Sequence, residues 1–417
     1  MVEPLQKPAR RTPLQRTRRQ ALPPVIRSRS GMLLTKAAAE GRFALQRCRD
    51  CGTFCYPAHD ACPVCLSVEL ALEDAPTGGL VVSETTVRVP ADVYFKERAP
   101  CRVALVKLDC GPVVLAHLHA GCGQGDRVTM SLQLDKAGLA AAFARPANTS
   151  PDAADDPQWR EMTASPKFRR ALVTDGRTAV GQATAAALAA AGATVHVGIA
   201  EPWKPFDGEA LPQSCEIVPL DVTDERSVRD LAADIGGKVD ILVNTAEYAR
   251  PGGLLDRRGT GTIRSEIEHN YLGLVHLAQT FGPAMRGRGA DGIDSAAAWV
   301  NLFSVYALAN WPAYGTFSAV EAACLSLSHC LRAEMRPGGI RVINFFTGPL
   351  DTEWFQTVPP PKVAPQTLAK AIVSALDRGI EDVFVGDVAE DVRRRLQANP
   401  KALEHELARQ GNGQAGQ

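Results

Sequence analysis

The sequence has no uninterrupted apolar run of about 18 residues or more, the length a helix needs to cross a bilayer. Its opening residues are basic and proline-rich, with no apolar stretch of the kind that forms a secretory signal. These absences argue against membrane spans and secretion and make the cytoplasm the expected compartment. Formal net charge is also lacking: 46 Lys and Arg balance 46 Asp and Glu. No repeat with a period of roughly 20 to 50 residues is evident, which excludes a solenoid or propeller. Most of the 11 cysteines stand singly, so a disulfide framework is not indicated; in a reducing compartment the pattern reads as metal plus free thiols.

What is present suits two or three compact domains, since the chain has 417 residues and 45% hydrophobic content. The balanced charge is unevenly spread. Residues 1–30 carry Lys7, Arg10, Arg11, Arg16, Arg18, Arg19, Arg27 and Arg29 against only Glu3, and with their prolines they read as a disordered basic tail. Such a tail is either a docking arm for an acidic partner or nucleic acid, or simply a solvated end; charge alone names no partner.

A short helix is expected at Leu33 to Glu40, closed by Gly41, and the segment 31–67 goes on into a cysteine-rich stretch. Four runs in 68–146, at Val81 to Val89, Arg102 to Leu108, Val113 to Leu118 and Arg127 to Leu132, alternate between turns and predict a small β-barrel. Residues 147–168 are rich in Asn, Ser, Pro, Asp and Ala and read as a linker. From 169 to about 395 strand and helix patterns alternate, which predicts a doubly wound parallel sheet of Rossmann type. Residues 396–417 read as a helix end and tail, interrupted at Pro400.

Cys48-Arg-Asp-Cys51 and Cys62-Pro-Val-Cys65 are two C-x-x-C turns. Each aims two thiolates at one point, and together they complete a tetrahedral shell for one zinc ion with no place for water. That closure makes the site structural, since a catalytic zinc needs an open position. Cys55 and His59 lie between the pairs and are the competing ligand candidates. The run from Glu40 to Gly52 with Tyr56-Pro57 and the second cysteine pair resembles the acyl-CoA-associated zinc-ribbon OB-fold family, also called DUF35. Val106-Lys-Leu-Asp109, Gly125-Asp-Arg-Val128 and Phe143-Ala-Arg-Pro146 fit the same family, so the resemblance covers residues 31–146. It implies a rubredoxin-like zinc ribbon, an OB-fold barrel and a non-catalytic partner of thiolase-like enzymes in thiolysis, acyl transfer or retro-aldol cleavage of CoA thioesters. Single-stranded nucleic acid is another OB-barrel ligand. This barrel offers only the adjacent pair Tyr94 and Phe95 as platforms, so that reading ranks lower. His117 and His119 share a strand face without a third ligand and read as packed or solvated rather than metal-binding.

The later part resembles the short-chain dehydrogenase/reductase family at Val173-Thr174, Leu220-Asp221-Val222, Leu242-Val243-Asn244, Asn270-Tyr-Leu-Gly273, Val300-Asn301-Leu-Phe-Ser304 and Gly348-Pro-Leu-Asp-Thr352. The resemblance implies an NAD(P) site using Thr174, Gly176, Gly181, Asp221 and Asn244. Yet the phosphate-binding turn reads Thr174-Asp175-Gly176-Arg177-Thr178-Ala179-Val180-Gly181, with Asp175 and Ala179 where the family has glycine. A carboxylate about 5 Å from a phosphate costs roughly 3 kcal/mol at an effective dielectric near 20, part of which Arg177 offsets. Ile199 stands where an acid usually holds the adenosine ribose. Thirteen residues beyond Ser304 stands Phe317, and four further on Glu321, where the family has its catalytic Tyr and Lys. A phenyl ring carries no proton, and loss of a positioned acid removes about 10²- to 10⁴-fold in rate. Tyr306 and Tyr314 have no Lys four residues on, and the retained Asn270 and Ser304 read as vestigial. The expectation is a catalytically silent dehydrogenase fold serving as a scaffold, with dimerisation through helices near Ile263 to Met285 and Phe317 to Met335. A working NAD(P)-dependent reductase for a CoA-bound substrate is the alternative.

Overall fold

The computed structural model describes residues 4–5, 21–148, 153–205, 211–255, 257–290 and 296–413. The expectation of a disordered tail over residues 1–30 falls mostly outside them. Two compact units emerge, with Gln20–Ser165 the main body of the first and Pro166–Ala375 with Asp382–Gln417 that of the second. No described helix is long and apolar enough to cross a membrane.

In the first unit, helix α1 (Met32–Ala39) ends where Gly41 takes φ +68, and the Gly41 and Arg42 amides donate to Ala38 and Ala37. A left-handed glycine lets the chain reverse and satisfy carbonyls the helix leaves open. Strands β1 (Ala44–Cys48), β2 (Phe54–Cys55) and β3 (Leu70–Asp74) form a small antiparallel sheet with β1 central. Strands β4 (Gly78–Val87), β5 (Cys101–Leu108), β6 (Val113–Leu118), β7 (Arg127–Leu134) and β8 (Ala140–Pro146) close a barrel in the order β4-β5-β6-β8-β7. A bulge between Val81 and Ser83 bends the long β4, which pairs with β5 along most of its length and with β7 at its start. Alternate residues fill the barrel, among them Val81, Val106, Leu108, Val114, Leu118 and Met130.

Helix α2 (Val93–Lys96) follows β4. The expected linker at 147–168 contains helix α3 (Pro157–Met162), which packs on the barrel. Its polar composition reads as a spacer, but Asp156-Pro157 is a helix start: the Asp156 carboxylate accepts the Trp159 amide at 2.9 Å, and Pro157 fits the first turn. Trp159 then sets its ring edge-on to Phe143 at 5.1 Å, with the Arg145 guanidinium 4.4 Å from its centre. Asp156 also accepts the Ala120 amide at 2.8 Å, tying the helix start to the loop after β6.

The second unit is a sheet of seven strands: β9 (Arg170–Val173), β10 (Thr194–Ile199), β11 (Cys215–Pro219), β12 (Ile241–Asn244), β13 (Ala298–Ser304), β14 (Arg341–Thr347) and β15 (Asp382–Val385). Their order is β11-β10-β9-β12-β13-β14-β15 and each pairing is parallel. The helices are α4 (Ala179–Ala190), α5 (Glu225–Ile235), α6 (Gly261–Glu266), α7 (Gly273–Gly287), α8 (Gly315–Met335), α9 (Pro365–Arg378), α10 (Asp387–Ala398) and α11 (Pro400–Gly413). The single long helix expected from Ile263 is split between α6 and α7 by a π-turn at Ile267–Leu272. Leu172, Leu242, Trp299 and Phe346 pack beneath Leu277, Phe281 and Leu331 of α7 and α8. Chain order reverses between β9 and β12, and the crevice at their carboxyl ends is where parallel sheets of this topology place a ligand.

Candidate functional site

Two places collect chemistry-bearing residues, one in each unit. In the first, the sulfurs of Cys48, Cys51, Cys62 and Cys65 all lie within 4.8 Å of one another. Cys48 comes from the end of β1 and Cys51 from the turn after it, closed by Gly52 at φ +74. The second pair folds the same way, the Leu66 amide donating to the Cys62 carbonyl at 3.0 Å. The Cys48–Cys65 and Cys51–Cys62 sulfur separations are 3.5 and 3.6 Å. A tetrahedron with zinc–sulfur bonds of about 2.3 Å has edges of about 3.8 Å, so the four thiols fit zinc with little movement. Amides add to this fit: those of Cys65 and Val64 hold the Cys62 thiol below its ordinary range, Val64 donating at 3.4 Å. Of the expected competitors, Cys55 packs against Cys48 and Cys62 but is not part of the four-sulfur group. Cys55 Sγ faces the Thr53 carbonyl at 3.7 Å, and the His59 backbone is clamped by the Gln46 side chain. Bound zinc would meet four thiolates and no open position, which suits a structural role.

His117 lies between the rings of Phe95 and Phe143, each 6.3 Å away, and burial lowers its pKa. His119 is buried, its Nδ1 accepting the Gly121 amide at 3.0 Å. Tyr94 is buried beneath Arg98, whose guanidinium stands 3.9 Å from the ring centre. The aromatic pair considered for base stacking is therefore engaged in packing α2.

The second site follows the carboxyl edge of the parallel sheet. Thr174, just beyond β9, donates through its hydroxyl to Asn244 Oδ1 of β12 at 2.9 Å and accepts the Thr245 amide at 3.0 Å. Asp175 Oδ1 accepts the Arg177 amide at 2.9 Å, while its own amide donates to Thr245 Oγ1 at 3.0 Å. The two glycines kept in this turn have packing reasons to be glycine. A Cβ on Gly176 would stand 2.1 Å from Val197 Cγ1, and one on Gly181 would stand 1.7 Å from the Asp175 carbonyl oxygen. Asp221, after β11, accepts the Thr223 amide at 2.9 Å and its hydroxyl at 2.7 Å. Ile199 ends β10 and is buried.

At the other end of the crevice Ser304 closes β13, and its hydroxyl accepts the Tyr306 amide at 3.2 Å. Glu321 of α8 turns its carboxylate to the Ser304 backbone, accepting that amide at 2.8 Å. Burial, reinforced by Glu247, pushes Glu321 up to about 8 although the Ser304 amide favours its charge. Glu247, which follows Asn244-Thr-Ala on the loop after β12, is itself pushed up to about 7 by burial. Phe317 is fully buried, with Phe355 and Tyr314 at 6.2 and 6.3 Å. Tyr306, Trp311 and Tyr314 stack at 4.5 and 4.8 Å, and the Tyr314 hydroxyl donates to the Trp354 carbonyl at 3.0 Å. Burial raises both tyrosines, Tyr306 to about 12, away from the lowered value a catalytic phenol needs. Asn270, on the π-turn, donates to the Tyr248 carbonyl at 2.9 Å and accepts its amide at 2.8 Å.

The structure thus gathers Thr174, Gly176, Gly181, Asp221, Asn244, Asn270, Ser304, Phe317 and Glu321 along one edge, while adding residues the sequence reading passed over. Glu247 is the chief of these; its signal was an acid directly after the strand-end run Asn244-Thr-Ala. The half-exposed platform of Tyr248 and Trp354 beneath the Arg250 guanidinium, 5.2 and 4.8 Å away, had no sequence signal because its parts lie on separate loops.

Comparison with known families places these two sites. Residues 35–71 match the model described as ChsH2, rubredoxin-like zinc ribbon domain, and residues 72–133 that described as ChsH2, C-terminal OB-fold domain. Residues 169–362 match the short chain dehydrogenase model. The chain therefore joins a zinc ribbon and OB-fold barrel to a dehydrogenase-type Rossmann domain. Among curated relatives are an uncharacterised oxidoreductase of Bacillus subtilis, 28% identical over 181 residues (41% of this chain, 62% of the relative), and a 3-ketodihydrosphingosine reductase of Dictyostelium discoideum, 27% identical over 193 residues (42% and 56%). A short-chain dehydrogenase of Penicillium ochrochloron is 34% identical over 147 residues (34% and 51%). The chain spans only 51 to 62% of the length of these relatives. A solved short-chain dehydrogenase from Burkholderia cenocepacia in complex with NADP is 29% identical at a TM-score of 0.53, covering 58% of this chain and 98% of that one. One from Streptomyces avermitilis is 27% identical at 0.50, covering 59% and 98%.

Proposed function

We propose that the chain is a non-catalytic accessory subunit of a thiolase-like acyl-CoA enzyme complex. The zinc-ribbon barrel docks on the catalytic subunit and helps form the channel for a CoA thioester. The dehydrogenase-like unit is a silent scaffold that dimerises through α7 and α8. One observation carries this reading: the positions of the family's proton donor and its lysine hold a buried phenyl ring, Phe317, and a buried carboxyl, Glu321. Hydride transfer to a carbonyl needs a proton at the same step; Tyr314 donates its hydroxyl to the Trp354 carbonyl, and burial raises the Tyr306 phenol to about 12. The matches to ChsH2-type ribbon and barrel models support acyl-CoA work as the role of the first unit. A groove of about 400 Å³ between α7 and α8, lined by Val275, Gln279, Arg286, Leu327 and Glu334, supports a partner for that helix pair.

The test is co-expression with thiolase-like proteins of the same organism. Co-purification, with thiolysis or retro-aldol activity that depends on both chains, is expected. A catalytic subunit that neither co-purifies nor changes activity overturns the reading. The alternative, an NAD(P)-dependent reductase for a CoA-bound substrate, draws on the NADP bound by the Burkholderia cenocepacia neighbour and on the retained Ser304 and Asn270. Hydride transfer that disappears in Ser304→Ala would establish it instead.

A further inference from the structure

We propose that the crevice at the carboxyl edge of the second unit excludes NAD(P) because the chain's own carboxylates, Asp175, Glu247 and Glu321, stand in the places of the cofactor's anionic and ribose groups. A dinucleotide is held in such folds by loop amides that meet its pyrophosphate at the start of the first helix. Here that loop is the segment between β9 and α4. Its Arg177 amide already donates to Asp175 Oδ1 at 2.9 Å; burial raises the Asp175 pKa, and the Arg177 and Thr178 amides oppose that rise by favouring the carboxylate. At the first turn of α4, the Gly181 amide donates to Thr178 Oγ1 at 3.0 Å. A phosphate entering this loop meets the Arg177, Thr178 and Gly181 amides already engaged and a carboxyl where the family has glycine.

The Arg177 charge still acts on Asp175, but its donors are engaged on another loop rather than turned to a phosphate. Arg177 donates through its guanidinium to the carbonyls of Glu201, Lys204 and Pro205, at 2.5, 3.3 and 3.2 Å, on the loop after β10. Gly176 and Gly181 do not imply a cofactor either, since each is required by protein atoms within 2.1 Å of where a Cβ would stand. At the far end, a lysine would ordinarily hold the nicotinamide ribose. Glu321 puts a buried carboxyl in place of that cation and directs it to the Ser304 amide at 2.8 Å, so no positive charge is left there for the ribose. Glu247 is on the loop after β12, beside Tyr248, whose backbone Asn270 holds at 2.8 and 2.9 Å, and it raises both Glu321 and Tyr314 electrostatically. The positions that meet a dinucleotide in this family are thus engaged by internal bonds at both ends.

The experiment is a fluorescence titration of the full-length chain with NADPH, with thermal melting as the check on folding. A like charge about 5 Å from a phosphate at an effective dielectric near 20 weakens binding on the order of 100-fold. Asp175→Gly, which frees the loop amides, is expected to tighten NADPH binding by about that factor over the wild type. Asp175→Asn, which keeps the bulk and removes the charge, tightens it by a smaller factor. Adding Glu247→Gln and Glu321→Gln tightens it further at pH 9, where both acids are otherwise ionised, and changes it little at pH 6. Wild-type protein that binds NADPH as tightly as Asp175→Gly overturns the proposal, as does a folded triple variant that binds no better than wild type. If the triple variant fails to fold, Asp175→Asn alone decides. The accessory-subunit reading is judged separately: a chain that binds NADPH and still co-purifies with a thiolase-like subunit overturns only this inference.

Discussion

Replacing Glu321 by Gln should flatten the dependence of the second unit's stability on pH. The Glu321 carboxyl is 5% exposed and, through burial, held up to about 8, whereas in the unfolded chain it titrates near 4.5. Between those values the folded state keeps a proton that the unfolded state has released. The unfolded state then binds fewer protons, so stability falls as pH rises, by about 1.4 kcal/mol per unit. Across the window of roughly three and a half units the ceiling is about 5 kcal/mol, and relaxation around the buried charge lowers it to about 3. Gln keeps an oxygen to accept the Ser304 amide, now 2.8 Å from Glu321 Oε2, and has nothing to titrate. Urea unfolding followed through tryptophan emission at pH 5.5 and pH 8 measures the effect, because Trp299 and Trp311 are buried in this unit. Glu321→Gln should gain about 3 kcal/mol over the wild type at pH 8 and little at pH 5.5. Equal slopes for the two proteins, or a wild type that grows more stable towards pH 8, would show that the carboxyl is not held protonated by its surroundings.

Three other outcomes are expected. Glu161 on α3 is half-buried, which alone would raise it, but Lys136 and Arg98 hold it down to about 2; its contribution is therefore present above about 4.5 and lost as pH falls towards 2. Glu161→Gln should cost on the order of 3 kcal/mol in the first unit at pH 7 and almost nothing at pH 2, read by calorimetry at both values. Phe143→Ala removes the fully buried ring between His117 and Trp159 and should cost about 3 to 5 kcal/mol in chemical denaturation, while Trp159 emission shifts to the red. Metal analysis should find one zinc per chain, and Cys62→Ser, which replaces the most buried of the four sulfurs, should lose it. Unchanged zinc content in that variant would place the metal elsewhere.

The zinc centre was legible in the sequence because its geometry is local. Two residues between cysteines make a turn that aims both sulfurs at one point, and only the meeting of the two turns needed the fold, which brings Cys48 Sγ to 3.5 Å from Cys65 Sγ. The parallel sheet was legible for a similar reason: strands buried on both faces, such as Ile241–Asn244, are written as short apolar runs, and they formed where expected. Helix α3 was not legible as packing, because the fit of Trp159 against Phe143 joins residues from different parts of the chain, and the polar composition around them conceals it.

By itself the sequence determined the ligand set, the two fold types and the loss of the tyrosine and lysine, since each is a matter of residue identity at a known spacing. Only the tertiary structure decided what the replacements do. That Asp175 takes loop amides and that Glu321 reaches across to Ser304 are consequences of β9, β12, β13 and α8 meeting at one sheet edge. Spacing along a chain carries no such information. Whether a carboxyl there is charged, neutral or hydrogen-bonded depends on burial and on neighbours about 70 or more residues away, as between Thr174 and Asn244.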